Sequence, residues 1–101
     1  MKIGILAKIS KVKSETAIDG LEQALQSRGY QTVRFVSPSE IENVDVVIVL
    51  GGDGAILHAA VIAARKNIQI IGVNYGNLGF LAEFEKTETD ELVALLKEME
   101  Q

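Results

Sequence analysis

Val44-Asp45-Val46-Val47-Ile48-Val49-Leu50, followed at once by Gly51-Gly52-Asp53-Gly54, is the stretch from which the fold can be read. A run that is almost wholly apolar and β-branched marks a central strand of a parallel sheet, covered on both faces. Residues 55–66, Ala-Ile-Leu-His-Ala-Ala-Val-Ile-Ala-Ala-Arg-Lys, then read as a helix. It is apolar nearly all round, so burial on most sides is expected. Ile68 to Val73 repeats the strand signal. Strand, glycine turn, helix and strand in that order make a βαβ unit.

The same alternation extends in both directions. Towards the amino terminus, Lys2 to Ala7 is a short apolar strand. Ser14 is expected to cap a helix that runs to about Arg28, with Gly29 as its stop. Ile18, Leu21 and Leu25 form its apolar stripe. Gln31 to Val36 alternates as a strand until Ser37-Pro38-Ser39 breaks it. Ser37 to Asn43 is too short for a crossover helix, so a single turn is expected. Towards the carboxyl terminus, Gly72 to Leu81 reads as a glycine-rich loop. Thr89 is the expected cap of a last helix, with Leu92, Leu95, Leu96 and Met99 as its inner stripe. Alternating strands and helices imply an α/β fold: an open, Rossmann-like parallel sheet of about four strands with helices on both faces. Right-handed crossovers favour the strand order 2-1-3-4.

Composition bounds the rest. The chain has 101 residues, 48% hydrophobic and 24% charged, so one α/β domain over 1–101 is expected. The absence of cysteine excludes disulfides, thiolate zinc sites and a cysteine nucleophile. The net charge of −4 argues against a protein that wraps nucleic acid. No apolar run is long enough to span a bilayer. Met1 to Leu6 reads as a strand rather than a leader. A cytoplasmic protein with no membrane partner is the expectation.

In open parallel sheets, ligands bind at the carboxyl ends of the strands, where the strand order reverses. Here that crevice falls between the first and third strands, flanked by Lys8–Lys13 and by Gly51–Gly54. Three glycines in four residues allow unusual backbone shapes and close approach of a ligand. The helix that follows offers backbone N–H groups to a phosphate. An aspartate there repels phosphate, yet suits a group that takes a proton from a hydroxyl or helps hold a metal ion. Beside this stands a structural reading, in which Asp53 is only the helix cap. The tetrapeptide alone does not choose between them. Neither G-x-x-x-x-G-K-[ST] nor a G-x-G-x-x-G after the first strand is present. A phospho-acceptor receiver domain would need acidic residues where Lys8 stands.

Gly51-Gly52-Asp53-Gly54 with Ala55-Ile56-Leu57-His58-Ala59-Ala60 resembles the GGDG motif shared by NAD kinases, diacylglycerol-type lipid kinases and phosphofructokinases. Gly72-Val73-Asn74-Tyr75-Gly76-Asn77-Leu78-Gly79-Phe80-Leu81 resembles the N-x-G-x-L-G-F signature of NAD kinases. The resemblance implies transfer of a phosphoryl group from ATP or polyphosphate to the adenosine-ribose 2′-hydroxyl of NAD, giving NADP. It implies Mg2+ or another divalent cation with the donor, although the sequence names no ligand set for it. Asp53 then takes the hydroxyl proton. Gly52, Asp53 and Gly54 face the nucleotide, with Gly54 offering its N–H. His58 stands where many members have a ligand-contacting arginine, a charge that histidine carries only conditionally. Its structural alternative is an exposed helix histidine. Ala55 stands where threonine is frequent, so a hydroxyl contact is lost. Asn74, Leu78 and Phe80 line the adenosine pocket, although Phe80 also suits a core position under the loop. Lys8, Lys11 and Lys13 read as a solvated run before they read as polyphosphate attractors.

The family carries a second, mostly β domain that supplies an Asn-Glu motif, most of the dinucleotide surface and oligomer contacts. It is absent from these residues. The expectation is a fragment that folds, has little kinase activity alone, and belongs to a homo-oligomer when complete. A lipid kinase and a non-catalytic nucleotide-binding module are the competing readings.

Overall fold

The computed structural model describes residues 1–7, 11–74 and 86–100. Strand β1 is Lys2–Ala7, helix α1 Lys11–Gln26, β2 Gln31–Phe35, β3 Val46–Gly51, helix α2 Asp53–Arg65, β4 Gln69–Asn74 and helix α3 Lys86–Met99. A single 3-10 turn, Pro38–Glu40, takes the place of a helix between β2 and β3, as the short connection predicts. All strand pairs are parallel and the order is β2-β1-β3-β4. The expected strand order is therefore the one observed.

The period-2 geometry of β3 divides the core into two layers. Val46, Ile48 and Leu50 face one side with Ile3, Ile5 and Ile71, and there they meet Leu21 and Leu25 of α1 and Leu92, Val93 and Leu96 of α3. Val47 and Val49 face the other side with Leu6, and there they meet Ala59 and Ala63 of α2 and Ile41. Every residue of β3 is buried, which is why its sequence shows no polar alternation.

Two helix ends are closed by the same device. After α1, Gly29 takes φ +91°, its N–H donates to Gln26 O at 3.0 Å, and Tyr30 N–H donates to Leu25 O at 3.2 Å. After α2, Asn67 takes φ 57°, its N–H donates to Ala64 O at 3.2 Å, and Ile68 N–H donates to Ala63 O at 2.9 Å. Both are paired 6→1 and 5→2 bonds around a left-handed residue, with an apolar contact behind. Gly29 was read from the sequence as this stop; Asn67 was not.

Four expectations need correction. Helix α1 starts at Lys11, so Ser14 lies inside it rather than at its cap. Lysine and valine enter a helix at little cost, and the sequence offers no barrier before Ser14. For the same reason α3 starts at Lys86, not after Thr89. Helix α2 is not largely buried: Leu57 is 68% and Val61 45% exposed, because the helix touches the sheet on one side and no described layer lies beyond it. In α3, Val93 is buried and Leu95 is 44% exposed, so the inner face is rotated from the expected stripe.

Tyr30 gives the fold a pH dependence. Burial raises its phenol above the usual value, and the nearby Glu100 carboxylate, to which it is hydrogen-bonded, adds to the effect. A raised folded-state value means that the stabilisation is complete below the unfolded value of about 10 and is lost as pH climbs through the folded one. Urea unfolding between neutral and strongly alkaline pH should therefore show a fall in stability that is reduced in Tyr30→Phe. An equal fall in both proteins would contradict this.

Candidate functional site

The carboxyl rim of the sheet is built by register. Ala7 pairs with Leu50, and Gly51 pairs with Asn74, so the last residues of β3 and β4 are direct neighbours. The described parts of the two glycine-containing segments singled out in the sequence therefore meet at this rim, at Gly51 and Asn74. A one-residue slip would also move Val47 and Val49 to the wrong face, so the same apolar pattern that makes the core fixes this juxtaposition.

Burial falls steadily as the chain leaves β3: Gly51 is buried, Gly52 half-buried, and Asp53 and Gly54 exposed. Gly52 is the N-cap of α2 in extended conformation (φ −87°, ψ 176°), and it has no side chain to cap with. Asp53 is the first helical residue, which corrects the view of it as the cap. The first helical bond runs from Ile56 N–H to Gly52 O at 3.0 Å. The N–H groups of Gly54 and Ala55 come before that bond and have no carbonyl partner within the helix. They lie at the positive end of the helix dipole, on the rim.

The glycines are not there for backbone shape. Among the described residues the one glycine with positive φ is Gly29, far from the rim. A Cβ added at Gly52 or Gly54 would meet nothing within 4 Å among the described residues. No described residue bars a side chain at either position, and glycine there leaves open space against the backbone. Gly72 is different; the sequence reading put it at the overlap of the strand Ile68–Val73 and the loop Gly72–Leu81. It lies inside β4, and a Cβ there would stand 2.7 Å from Ile56 Cγ2. Its bareness lets α2 sit close on the sheet and so positions the amino terminus of that helix. A glycine within a strand pattern is the signal that marks such a close approach.

His58 lies one turn beyond Gly54 on the same exposed side of α2, the geometry of an i, i+4 pair. Asn74 closes β4 at the rim. Leu78 and Phe80 lie outside the described residues, as do Lys8, Gly76 and Gly79. Lys11 and Lys13 fall in the first turn of α1. Among the described residues no three His, Cys, Asp or Glu side chains are grouped to hold a metal ion. No described helix is long and apolar enough to cross a membrane.

Comparison with known proteins points to one family. Residues 4–100 match the model of the ATP-NAD kinase N-terminal domain. A protein named NAD kinase from Clostridium tetani is 58% identical over 48 residues, which cover 48% of this chain and 18% of the relative. One of the same name from Corynebacterium diphtheriae is 49% identical over 57 residues, 56% of this chain and 18% of the relative. Another from Pseudomonas putida is 43% identical over 76 residues, 75% of this chain and 25% of the relative. The chain thus spans a quarter or less of the length of these relatives. With the domain match running almost end to end, the chain belongs to the NAD kinase family, in the region of its amino-terminal α/β domain.

Proposed function

We propose that this chain is the phosphate-handling domain of an enzyme that moves a phosphoryl group from ATP or polyphosphate to the adenosine-ribose 2′-hydroxyl of NAD, giving NADP. The observation that supports it most is the pairing of Gly51 with Asn74, which sets an exposed aspartate and a helix amino terminus beside the second motif on one rim. In this reading the Asp53 carboxylate orients the hydroxyl and accepts its proton as the oxygen attacks phosphorus. The bond to the leaving phosphate then breaks. Such chemistry asks mainly for positioning and charge neutralisation. The N–H groups of Gly54 and Ala55 supply donors for phosphate oxygens. Asn74, Leu78 and Phe80 are assigned to the adenosine, and His58 to an outer contact. The reading assigns no protein ligand to the divalent cation that accompanies the donor.

The matched stretches are only part of each relative, which supports a second requirement: the chain alone turns over far more slowly than an enzyme that also has the β domain. The test is a product assay on such an enzyme, with NAD and with diacylglycerol offered in parallel. NADP formation is expected. Phosphorylation of the lipid and not of NAD would overturn the proposal.

Gly54 gives a sharper check. Alanine in the first turn of α2 should stabilise the fold by about 0.5–1 kcal/mol, since glycine is the poorer helix residue and the new methyl meets no described residue. The same methyl stands where the nucleotide is proposed to approach, so kcat/KM should fall roughly 10- to 200-fold. Calorimetry and steady-state kinetics on Gly54→Ala would then move in opposite directions. A stabilised variant with unchanged kinetics would count against the proposed approach.

A further inference from the structure

Ile56 lies in the first turn of α2, half-buried against the layer that holds Leu6, Val47 and Val49. A Cβ on Gly72 would stand 2.7 Å from Ile56 Cγ2, 3.2 Å from its Cδ1 and 3.4 Å from its Cγ1. The Cγ2 methyl is bonded directly to Cβ, and a branched side chain in a helix keeps essentially one χ1 rotamer. Its place is therefore fixed by the helix backbone, unlike the far end of a flexible chain. The contact lies between the two motif segments. Ile56 N–H makes the first helical bond, to Gly52 O. Asp53 is three residues towards the amino end, about 4.5 Å along the axis. Gly72 pairs with Val49, and Asn74, two residues or about 7 Å further along β4, pairs with Gly51.

We propose that Ile56 is a positioning residue for the phosphoryl transfer. Resting on the bare backbone of Gly72, it sets the height of the α2 amino terminus above β4. With that height it sets the spacing between the Gly54 and Ala55 N–H donors and the end of β4 at Asn74. Ile56 acts through the helix end and not on the substrate. The inference rests on the function proposed above. A methyl added at position 72 must push Cγ2 back by about 0.7 Å to reach the 3.4 Å of ordinary contact. β4 is paired with β3 along its whole length, and α2 is seated further on by Ala59 and Ala63. The amino end of the helix is therefore the part that rises. A misplacement of about 1 Å can cost roughly 10²-fold in rate.

Steady-state kinetics on the β-domain-containing enzyme test it, with each variant assayed below its own unfolding transition. Gly72→Ala should lower kcat roughly 10- to 100-fold. KM for NAD should change less, because the loss is one of alignment. Adding Ile56→Ala removes Cγ1, Cγ2 and Cδ1, the three described atoms nearest the new methyl, and should recover most of that loss. Adding Ile56→Val instead keeps Cγ2 in place and should recover none. The comparison of the two double variants decides even where Gly72→Ala alone does not fold. Gly72→Ala/Ile56→Ala should exceed Gly72→Ala/Ile56→Val by about tenfold or more in kcat. Equal activity of the two, or equal failure to fold, would overturn the proposal. So would a Tm that Ile56→Ala restores while kcat stays low, which makes the contact one of stability alone. A parent enzyme that makes no NADP sinks the proposed function itself. A parent that makes NADP while the two double variants behave alike sinks only the positioning role.

Discussion

Replacing Asp53 by asparagine, in an enzyme that carries this domain together with its β domain, is expected to lower kcat by roughly 10²–10⁴. Asparagine keeps the shape and one oxygen acceptor, but it cannot take the proton from a sugar hydroxyl. The cost to the start of the helix should be small. The cap of α2 is Gly52, and Asp53 is the exposed first residue of the helix. Its charge interacts favourably with the helix dipole, which is worth about 0.3–1 kcal/mol at an exposed site. A purely structural aspartate therefore predicts a slightly less stable enzyme with near-normal turnover. A proton acceptor predicts the reverse, with KM for NAD little changed because the lost interaction belongs to the transition state. A fall in kcat of less than about tenfold would leave Asp53 without the role proposed for it.

The second large effect concerns the scaffold. Ile48→Ala should cost about 2–5 kcal/mol, since the side chain is fully buried in the central strand and a cavity is left between β1, β4 and the helices on that face. For a domain of this size each kcal/mol corresponds to a fall in Tm of about 4–8 °C. Leu95→Ala is the control. Leu95 lies on the helix stripe that the sequence suggests is internal, yet it is 44% exposed. It should cost clearly less than Ile48→Ala in the same denaturant titration. Equal costs would mean that α3 packs through the face expected from sequence rather than the one observed.

That contrast shows what the sequence could and could not reveal. The strands were legible because a parallel sheet buried on both faces leaves an unbroken apolar run, and β3 lies almost where that run lies. The strand order followed from chain connectivity rules. The helix starts were less legible: Lys11 and Lys86 begin helices without any capping residue that sequence reading had singled out. The exposed side of α2 was hidden for another reason. A helix that is apolar all round reads as buried, and nothing local says that only one side has a neighbour. The GGDG segment announced itself by composition, but of the two reasons offered for its glycines, backbone shape and close approach of a ligand, the first does not hold at Gly52 and Gly54, which have no positive φ. The adjacency of Gly51 and Asn74 is a matter of register between strands, which the separate segments do not state. The role of Gly72 depends on the distance between a strand and a helix, and that too is a property of packing.

Nucleotide binding at the carboxyl rim beside Asp53 is the proposal on which every other assigned role rests. The most direct test is a titration of the β-domain-containing enzyme with NAD, with amide shifts followed after 15N-glycine labelling. The prediction is that Gly52 and Gly54 shift in a saturable manner while Gly4, Gly20 and Gly29, placed away from the α2 amino terminus, stay still. Saturation with Gly52 and Gly54 unmoved would contradict the account.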